Sequence, residues 1–531
     1  MSSTFHGLEV AKRALSTQQS ALYTTGHNIA NANTEGYSRQ RVNFESSAPY
    51  PAAAMNRPEI PGQVGSGVEA GSVQRVRENF LDVQYRGEST KTGYWTTKAD
   101  ALSKMEEIMN EPSEQGLSKT MDRFWQSIQD LSVNPEDSGA RSVVRQRGMA
   151  VAETFNYLSN SLSSIQQDFK SQVDITTKEI NSLASQINEL NRQIGDVEPH
   201  GLLPNDLYDK RDLLVDQLSE IVNVKVTNVK SGGAPLEIAD GKYTVEIVGQ
   251  DGQPLFKDAD GKSVPLVDGA TNSYNALAVN ADGVKGSIGT ISVGGTSVNA
   301  IDFDSTGKLQ GLVETYGYEN ENGKVTGIYP DMLAELDTMA YNFAQEFNKV
   351  HQSGMSPNEI KNGFEEIPFF AISQTNSNDT PAEGFASKIA VSQKVLDSID
   401  NIATATNKAP GTVEGQADLG DNGNALKLAD VFSNKYEFAG TGVVSDFKSY
   451  YQGVIGDMGV QSQEAQRLQT NSETLRQSVD ERRQSTSAVS LDEEMTNMIK
   501  FQHAYNAAAR SMTAVDEMLD RIINNMGRVG R

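Results

Sequence analysis

Gly261, Lys262 and Ser263 are the residue types that close a phosphate loop, where backbone amides and a lysine cradle the anion. That chemistry needs an earlier glycine at position 256, which is Phe256, so the triplet reads as a hairpin tip. Asp302, Asp304, Thr306 and Gly307 match the opening of a calcium loop, but the position of the bidentate glutamate is Val313 and a plain turn is expected. His6, His27, His200, His351 and His503 are scattered without an HExxH pair, and the chain has no cysteine. Thiolate metal sites, disulfides and cysteine nucleophiles are thereby excluded, and no other metal site is visible. No GxSxG elbow occurs, and carboxylates are too frequent in so acidic a chain to single out a catalytic pair. No catalytic residue, cofactor site or metal site is expected.

The 531 residues include 46 basic and 70 acidic side chains, a formal net charge of −24. Such a charge repels phosphate backbones and anionic membrane surfaces, so neither nucleic acid nor membrane is an expected partner. No apolar run approaches the roughly 20 residues that span a bilayer. The start, MSSTFHGLEVAKRALS, lacks the basic start and continuous apolar block of a cleavable signal, so any export is expected to use another route.

The remaining candidate is a polar stretch, HNIANANTEGYSRQRV at residues 27–42, set directly after an apolar helix. Asn28, Asn31 and Asn33 accept local hydrogen bonds or tolerate left-handed backbone, Thr34 adds a hydroxyl, Gly36 permits a reversal, and Tyr37 offers an amphipathic ring. A loop of this kind at a helix end is suited to touch a neighbouring subunit.

The elements that must position it are helical. Leu8, Leu15, Leu22 and Ile29 recur every seven residues, with Ala11, Gln18 and Thr25 between them, and predict a narrow apolar seam. At the far end Leu491, Met498, Tyr505, Met512, Leu519 and Met526 repeat likewise, interleaved with Phe501, Ala508, Val515 and Ile522. Ser490 and Glu493 have capping-box spacing and mark that helix start. The two ends are expected to pair as a coiled coil. A lone pair of this kind is marginal in water, so further partners are implied. Between them, the spacing of Val151, Phe155, Leu158, Leu162, Ile165 and Phe169, resumed from Ile180 to Ile194, predicts a rod over 151–194. Leu117 to Leu131, Trp95 to Met109, Met332 to Phe347 and Phe447 to Val479 supply further helices. From about residue 223, Val222, Val224, Val226, Tyr243, Val245 and Ile247 alternate with polar neighbours, and Asp-Gly pairs mark hairpins.

The expected fold is mainly α with an inserted β domain: a terminal coiled-coil domain at 1–60 and 488–531, a long-helix bundle at 61–222 and 314–487 with an irregular 354–440 segment, and a small β domain at 223–313. Shortening that β unit at its Asp-Gly turns is expected to be tolerated.

Asn28-Ile29-Ala30-Asn31, followed by Thr34, Gly36 and Tyr37, resembles the signature of the flagellar rod, hook and hook-associated axial proteins. SLDEEMTNMIKFQHAYNAAARSM at the carboxy terminus, LQGLVETYG at 309–317 and LDTMAYNFAQEFNKVHQSG at 336–354 are similar to the hook-associated members. The resemblance implies a structural protein joining hook to filament, with terminal helices in an inner tube, a helical shell, and the β unit outermost. It implies export through the flagellar type III apparatus to an extracellular flagellum. It also implies as partners further copies of the chain, hook protein, the next hook-associated protein towards the filament, and an export chaperone on the carboxy-terminal helix. Asn28, Asn31, Thr34, Gly36, Tyr37, Leu8, Leu15 and Leu22 are then the expected subunit contacts. Leu491, Met498, Tyr505, Met512 and Leu519 are the expected seam and chaperone contacts. Hook protein has a similar carboxy-terminal seam, but the long 151–194 rod argues against it. Flagellin's terminal sequences are not apparent. A filament-associated enzyme would need catalytic residues in the β insert, where none is found.

Overall fold

The computed structural model describes residues 5–51, 55, 62–109, 111, 113–371, 383–407, 418–438 and 442–525. Met526 of the expected seam and parts of the 354–440 segment lie outside these residues. The helices are α1 (His6–Ala30), α2 (Asn79–Met109), α3 (Leu117–Val133), α4 (Ser138–Val197), α5 (Asn205–Ile221), α6 (Lys308–Tyr316), α7 (Ile328–Ser353), α8 (Pro357–Asn362), α9 (Gln393–Asp397), α10 (Gly423–Asp430), α11 (Phe447–Ser487) and α12 (Leu491–Asn525). The chain divides into two compact units, one of Met1–Lys91, Glu179–Leu277 and Ser472–Arg531, the other of Thr92–Lys178 and Ala278–Asn471. This division differs from the sequence-based boundaries because α2, α4 and α11 each contribute residues to both units.

In the first unit α1 packs along α12 and against the antiparallel hairpin β1 (Gln40–Ser46) and β2 (Val68–Arg75). Gly7 lies against Val515, and Asn28 bonds Glu494, so the two helices run antiparallel, with those partners three heptads apart on each. The buried line of α1 is Ala11, Thr17, Ala21, Thr25 and Asn28. Of the expected seam Ala11 and Thr25 are thus buried, while Leu8, Leu15, Leu22, Ile29 and Gln18 are half-buried beside that line. Small residues occupy the line of closest approach because α1 is covered on two sides, and Thr17 Oγ1 donates to the Val68 carbonyl at 3.1 Å. On α12 Met498, Tyr505, Met512, Phe501, Ala508 and Val515 are half-buried and Leu519 is buried, while Leu491 and Ile522 at the ends are exposed.

The region expected as one β domain forms two sheets. Strands β3 (Val224–Val229), β4 (Lys242–Ile247), β5 (Val267–Asp268) and β6 (Ser273–Tyr274) make the first, with Val226 opposite Val245. Strands β7 (Leu277–Asn280), β8 (Thr290–Val293) and β9 (Thr296–Asn299) make the second, which from Ala278 onward belongs to the other unit. Val245, Ile247, Phe256, Leu266 and Val267 are buried, and Asn191 of α4 holds both the carbonyl and the amide of Tyr243 at 2.8 and 2.9 Å. Excision of 228–305 therefore removes part of the core of the first unit, contrary to the expectation of easy tolerance. Gly252 and Gly261, at two of the Asp-Gly tips, have positive φ and open space around them, so shortening is confined to those tips.

In the second unit the expected stripe of α3, Leu117, Met121, Phe124, Ile128 and Leu131, is buried throughout. Phe124 meets Phe343, Phe347, Phe369, Phe370 and Phe432 at ring-centroid distances from 5.3 to 6.3 Å. Three of these rings come from the 354–440 segment, which places part of that irregular stretch in the core. Gly148 of α4 allows the approach, since a Cβ there would sit 2.6 Å from the Phe369 ring. The helix predicted over 151–194 is 60 residues long, and Val173 and Thr176 continue its buried stripe through the polar patch. On α11, Phe447, Tyr451, Met458 and Ala465 are buried, as is Val479 in the part of that helix that belongs to the first unit. Leu475 is instead 53% exposed, with Ser472 buried in its place.

His351 of α7 is fully enclosed. Its Nδ1 lies 2.8 Å from the Ile367 carbonyl and its Nε2 accepts the Ala403 amide at 3.0 Å, which fixes a neutral ring protonated on Nδ1. Burial lowers its pKa, the Ile367 carbonyl opposes, and Arg141 adds to the lowering, bringing it from 6.5 to about 4. The unfolded chain thus takes this proton first. The ring's contribution to stability is whole above pH 6.5 and is lost as pH falls from 6.5 to about 4. Denaturant titrations of His351→Gln, which can still donate and accept, are expected to lack the slope of about 1 kcal/mol per pH unit that wild type shows there. Equal slopes in the two proteins would rule this assignment out.

Candidate functional site

Asn28 ends the buried line of α1. Its Nδ2 donates to the Gln40 carbonyl at 2.8 Å and to Glu494 Oε2 at 3.2 Å, while its Oδ1 accepts the Gln40 amide at 3.0 Å and the Tyr37 hydroxyl at 2.8 Å. Both donors and both lone pairs are used. Arg39 extends the junction, with Nε 2.7 Å from Glu494, Nη1 2.8 Å from Glu493, and its amide bonded to the Ser487 carbonyl at 2.8 Å. Glu493 is thereby drawn to Arg39. The Ser490 hydroxyl still accepts the Glu493 amide at 3.5 Å, so the described α12 cap is the Ser490 half of the expected box.

The turn itself is closed on its own subunit. Asn31 caps α1 and donates to the His27 carbonyl at 3.0 Å, Thr34 bonds Asn31 Oδ1 at 3.2 Å, and the Tyr37 amide bonds the Thr34 carbonyl at 3.2 Å. Gly36 has φ 76°, and a Cβ there would lie 3.1 Å from Leu213 of α5. The Tyr37 ring stands edge-on to His27 at 5.6 Å. Burial raises the Tyr37 pKa, and Asp206, Asp209 and Glu494 add to the rise, so the hydroxyl stays a donor. Asn28 and Tyr37 are therefore committed within the subunit, whereas Asn33, Thr34, Glu35 and Gly36 are exposed.

Behind the turn lies a group of charges that sequence reasoning missed. Asp209, Asp212 and Asp216 stand on one buried face of α5. Arg75 Nη1 is 2.8 Å from both Asp209 and Asp212, and Nη2 reaches Asp240. Arg77 holds Asp82 at 2.6 Å and Asp212 at 3.1 Å. Arg86 holds Asp216 at 2.7 Å and Asp212 at 3.5 Å. Arg483, near the end of α11, meets Asp216 at 2.6 Å and Asp480 at 3.0 Å and covers the Tyr85 ring at 3.9 Å. Burial alone would raise the Asp212 pKa, but Arg77, Arg75, Arg86 and Arg211 together hold it well below the carboxylate range. Asp209 goes the other way, its burial outweighing Arg75. The turn joins this group where the Ser38 amide bonds Asp209 Oδ2 at 3.0 Å. The available sequence signal was three aspartates spaced three and four apart on one face of a helix, matched by arginines at 75, 77 and 86.

This arrangement is a brace. It ties the end of α1, the β1–β2 hairpin, the start of α2, α5, the end of α11 and the start of α12 through charged groups whose geometry tolerates little displacement. Beside it a cleft of about 530 Å³ opens among residues 32–38, Leu213 to Glu220 and Arg476 to Val489. Among the described residues, no group of three or more histidines and carboxylates is placed to hold a metal, and no helix is long and apolar enough to cross a membrane.

The two chain ends that the brace locks together match known families separately. Residues 8–37 match the family described as flagella basal body rod protein, and residues 482–526 match the flagellar basal body rod FlgEFG protein C-terminal family. These ends place the chain in the class of flagellar rod-type proteins. Residues 102–365 match the flagellar hook-associated protein FlgK helical domain. The flagellar hook-associated protein 1 of Bacillus subtilis (strain 168) is 47% identical over 532 residues, 100% of each chain. That of Escherichia coli (strain K12) is 25% identical over 97% of this chain and 98% of its own. The chain belongs to the flagellar hook-associated protein 1 family. The flagellar hook junction protein FlgK from Burkholderia pseudomallei shares the fold, with a TM-score of 0.54 at 16% identity over 78% of this chain and 100% of that one.

Proposed function

We propose that this chain is a structural axial protein that polymerises at the hook–filament junction of the bacterial flagellum and connects hook to filament without catalysing a reaction. The observation that carries the reading is the full-length relationship to flagellar hook-associated protein 1. The antiparallel α1–α12 pair, locked by Asn28, Arg39 and the brace, supports it as a stiff building block. Its neighbours are further copies, hook protein, and the next hook-associated protein towards the filament. The exposed Thr34 and Gly36 of the turn, with the half-buried Asn31, Leu8, Leu15 and Leu22, are offered to them, while Asn28 and Tyr37 hold the turn in shape. Before assembly, Leu491, Met498, Tyr505, Met512 and Leu519 form the face that an export chaperone covers, and the subunit leaves by the flagellar type III route. In the assembled form the terminal helices lie innermost and the sheets of 223–313 outermost.

In a strain lacking this chain, hooks are expected to form and filaments to be absent, and the wild-type chain to restore them. Thr34→Trp, on the exposed side of the turn, is expected to fold as wild type by circular dichroism yet fail to restore filaments. Attached filaments in the deletion strain would overturn the junction reading, and full restoration by the Thr34 variant would overturn the turn's contact role.

A further inference from the structure

Within α11 the stretch Gly453-Val454-Ile455-Gly456-Asp457-Met458-Gly459 places three glycines in seven residues of an unbroken helix. A Cβ built on Gly453, Gly456 or Gly459 meets nothing within 4 Å, so no packing contact in the subunit requires a glycine at any of them. Each weakens the local helix roughly fivefold relative to alanine, on the order of a hundredfold for the three, and the β-branched Val454 and Ile455 add to this. On the inner side of the same stretch Met458 is buried, but Val454 is half-buried and Asp457 exposed, and the three border a cleft of about 350 Å³ shared with Leu102 of α2 and Met332 of α7.

Both flanks are firmly held. Before it, Phe447 packs edge-on to Phe343 at 5.5 Å and Tyr450 stacks on Phe438 at 3.8 Å. After it, Ser462 and Ala465 are buried, and Ala465 shares a cluster with Ala99 and Leu102. A weak segment with open space at its glycines and a cleft along its inner side, set between two anchored segments, is where a long helix bends first. We propose that residues 453–459 are a flexure point of α11, at which the helix opens or bends locally while its flanks stay packed. This does not depend on the junction reading, since it is a property of the unassembled chain.

The test is hydrogen exchange on the full-length monomer, read by mass spectrometry. Amides of 453–459 are expected to exchange at least tenfold faster than those of 462–468. Gly453→Ala, Gly456→Ala and Gly459→Ala combined are expected to slow them by roughly a hundredfold while leaving the flanks unchanged. Exchange as slow as in the flanks, or unaltered by the three alanines, would overturn the proposal. So would a variant with wild-type exchange that no longer supports filaments, because the glycines would then be clearing space for a neighbour. Loss of the junction function itself, with the exchange pattern as described, would leave the flexure standing.

Discussion

Asp212→Ala is expected to cost the chain about 3 to 5 kcal/mol, because removing the carboxylate that three buried arginines share leaves their charge under-compensated away from solvent. Asp212 is 2% exposed and is shared by Arg75 at 2.8 Å, Arg77 at 3.1 Å and Arg86 at 3.5 Å. Without it, three guanidiniums gather around two remaining aspartates of α5, one of which, Asp209, already has its carboxylate disfavoured by burial. For a unit of this size the loss corresponds to a melting point lower by about 10 °C. The effect has a pH signature. Because the Asp212 pKa is held below its ordinary 3.8, its stabilisation is present above that value and disappears as pH falls beneath it. Wild type and Asp212→Ala should therefore differ fully at neutral pH and converge in strong acid, a range separate from that of His351. Calorimetry of the purified monomer at several pH values checks this. A variant melting within a degree or two of wild type at pH 7 would show the brace to be dispensable.

The physical reason these features were unevenly legible is visible residue by residue. On α12 the seam could be read because its apolar residues recur every seven positions, although Met495, Ile499, Met518 and Ile523 outside it are also large and apolar and stay exposed. On α1 the same reasoning selected Leu8, Leu15, Leu22 and Ile29 with Ala11, Gln18 and Thr25 between them, and of these only Ala11 and Thr25 lie in the buried line, which Thr17, Ala21 and Asn28 complete. Periodicity weights side-chain size, while a helix covered on two sides puts its smallest residues at the closest contact. Leu475 fails similarly, since the buried line of α11 runs through Ser472 and Val479 on either side of it. The β region was recognisable from alternation and Asp-Gly turns, but turn chemistry does not say which sheet a strand joins, and one expected domain proved to be two sheets. The brace was the least legible. Its central aspartates lie on α5 and the arginines of the hairpin and α2 that reach them over 120 residues away, so only the spacing of Asp209, Asp212 and Asp216 hinted that a buried face was charged. The polar turn was found because asparagine, threonine and glycine in sequence have few other uses. Its internal bonding was not, because Glu494 and Asp209 come from distant parts of the chain.

That internal bonding carries the second large effect. Asn28→Asp changes one atom in the side chain, replacing an amide nitrogen by an oxygen, yet it inverts two of four hydrogen bonds. The new oxygen would face the Gln40 carbonyl at 2.8 Å and Glu494 Oε2 at 3.2 Å, both acceptors. Asn28 is 1% exposed and Glu494 2%, so solvent does little to screen the repulsion. The site must take up a proton or release the turn. Either course is expected to cost about 3 kcal/mol or more at neutral pH. Since Asn28 also accepts the Tyr37 hydroxyl and the Gln40 amide, release frees residues 31–40 together, including the surface proposed to meet the next subunit. Asn28→Asp should therefore lose filament attachment while α4 and the phenylalanine core of the second unit stay folded, and lowering the pH towards 5 should recover part of the lost stability as the carboxyl pair takes up a proton. The measurement is the melting point of Asn28→Asp at pH 7 and pH 5 beside wild type, with filament attachment scored in the deletion strain. Wild-type melting and attachment at pH 7 would mean that the Asn28 junction is incidental to the fold of the turn, and that the contact surface is organised by something other than the closure of α1 on α12.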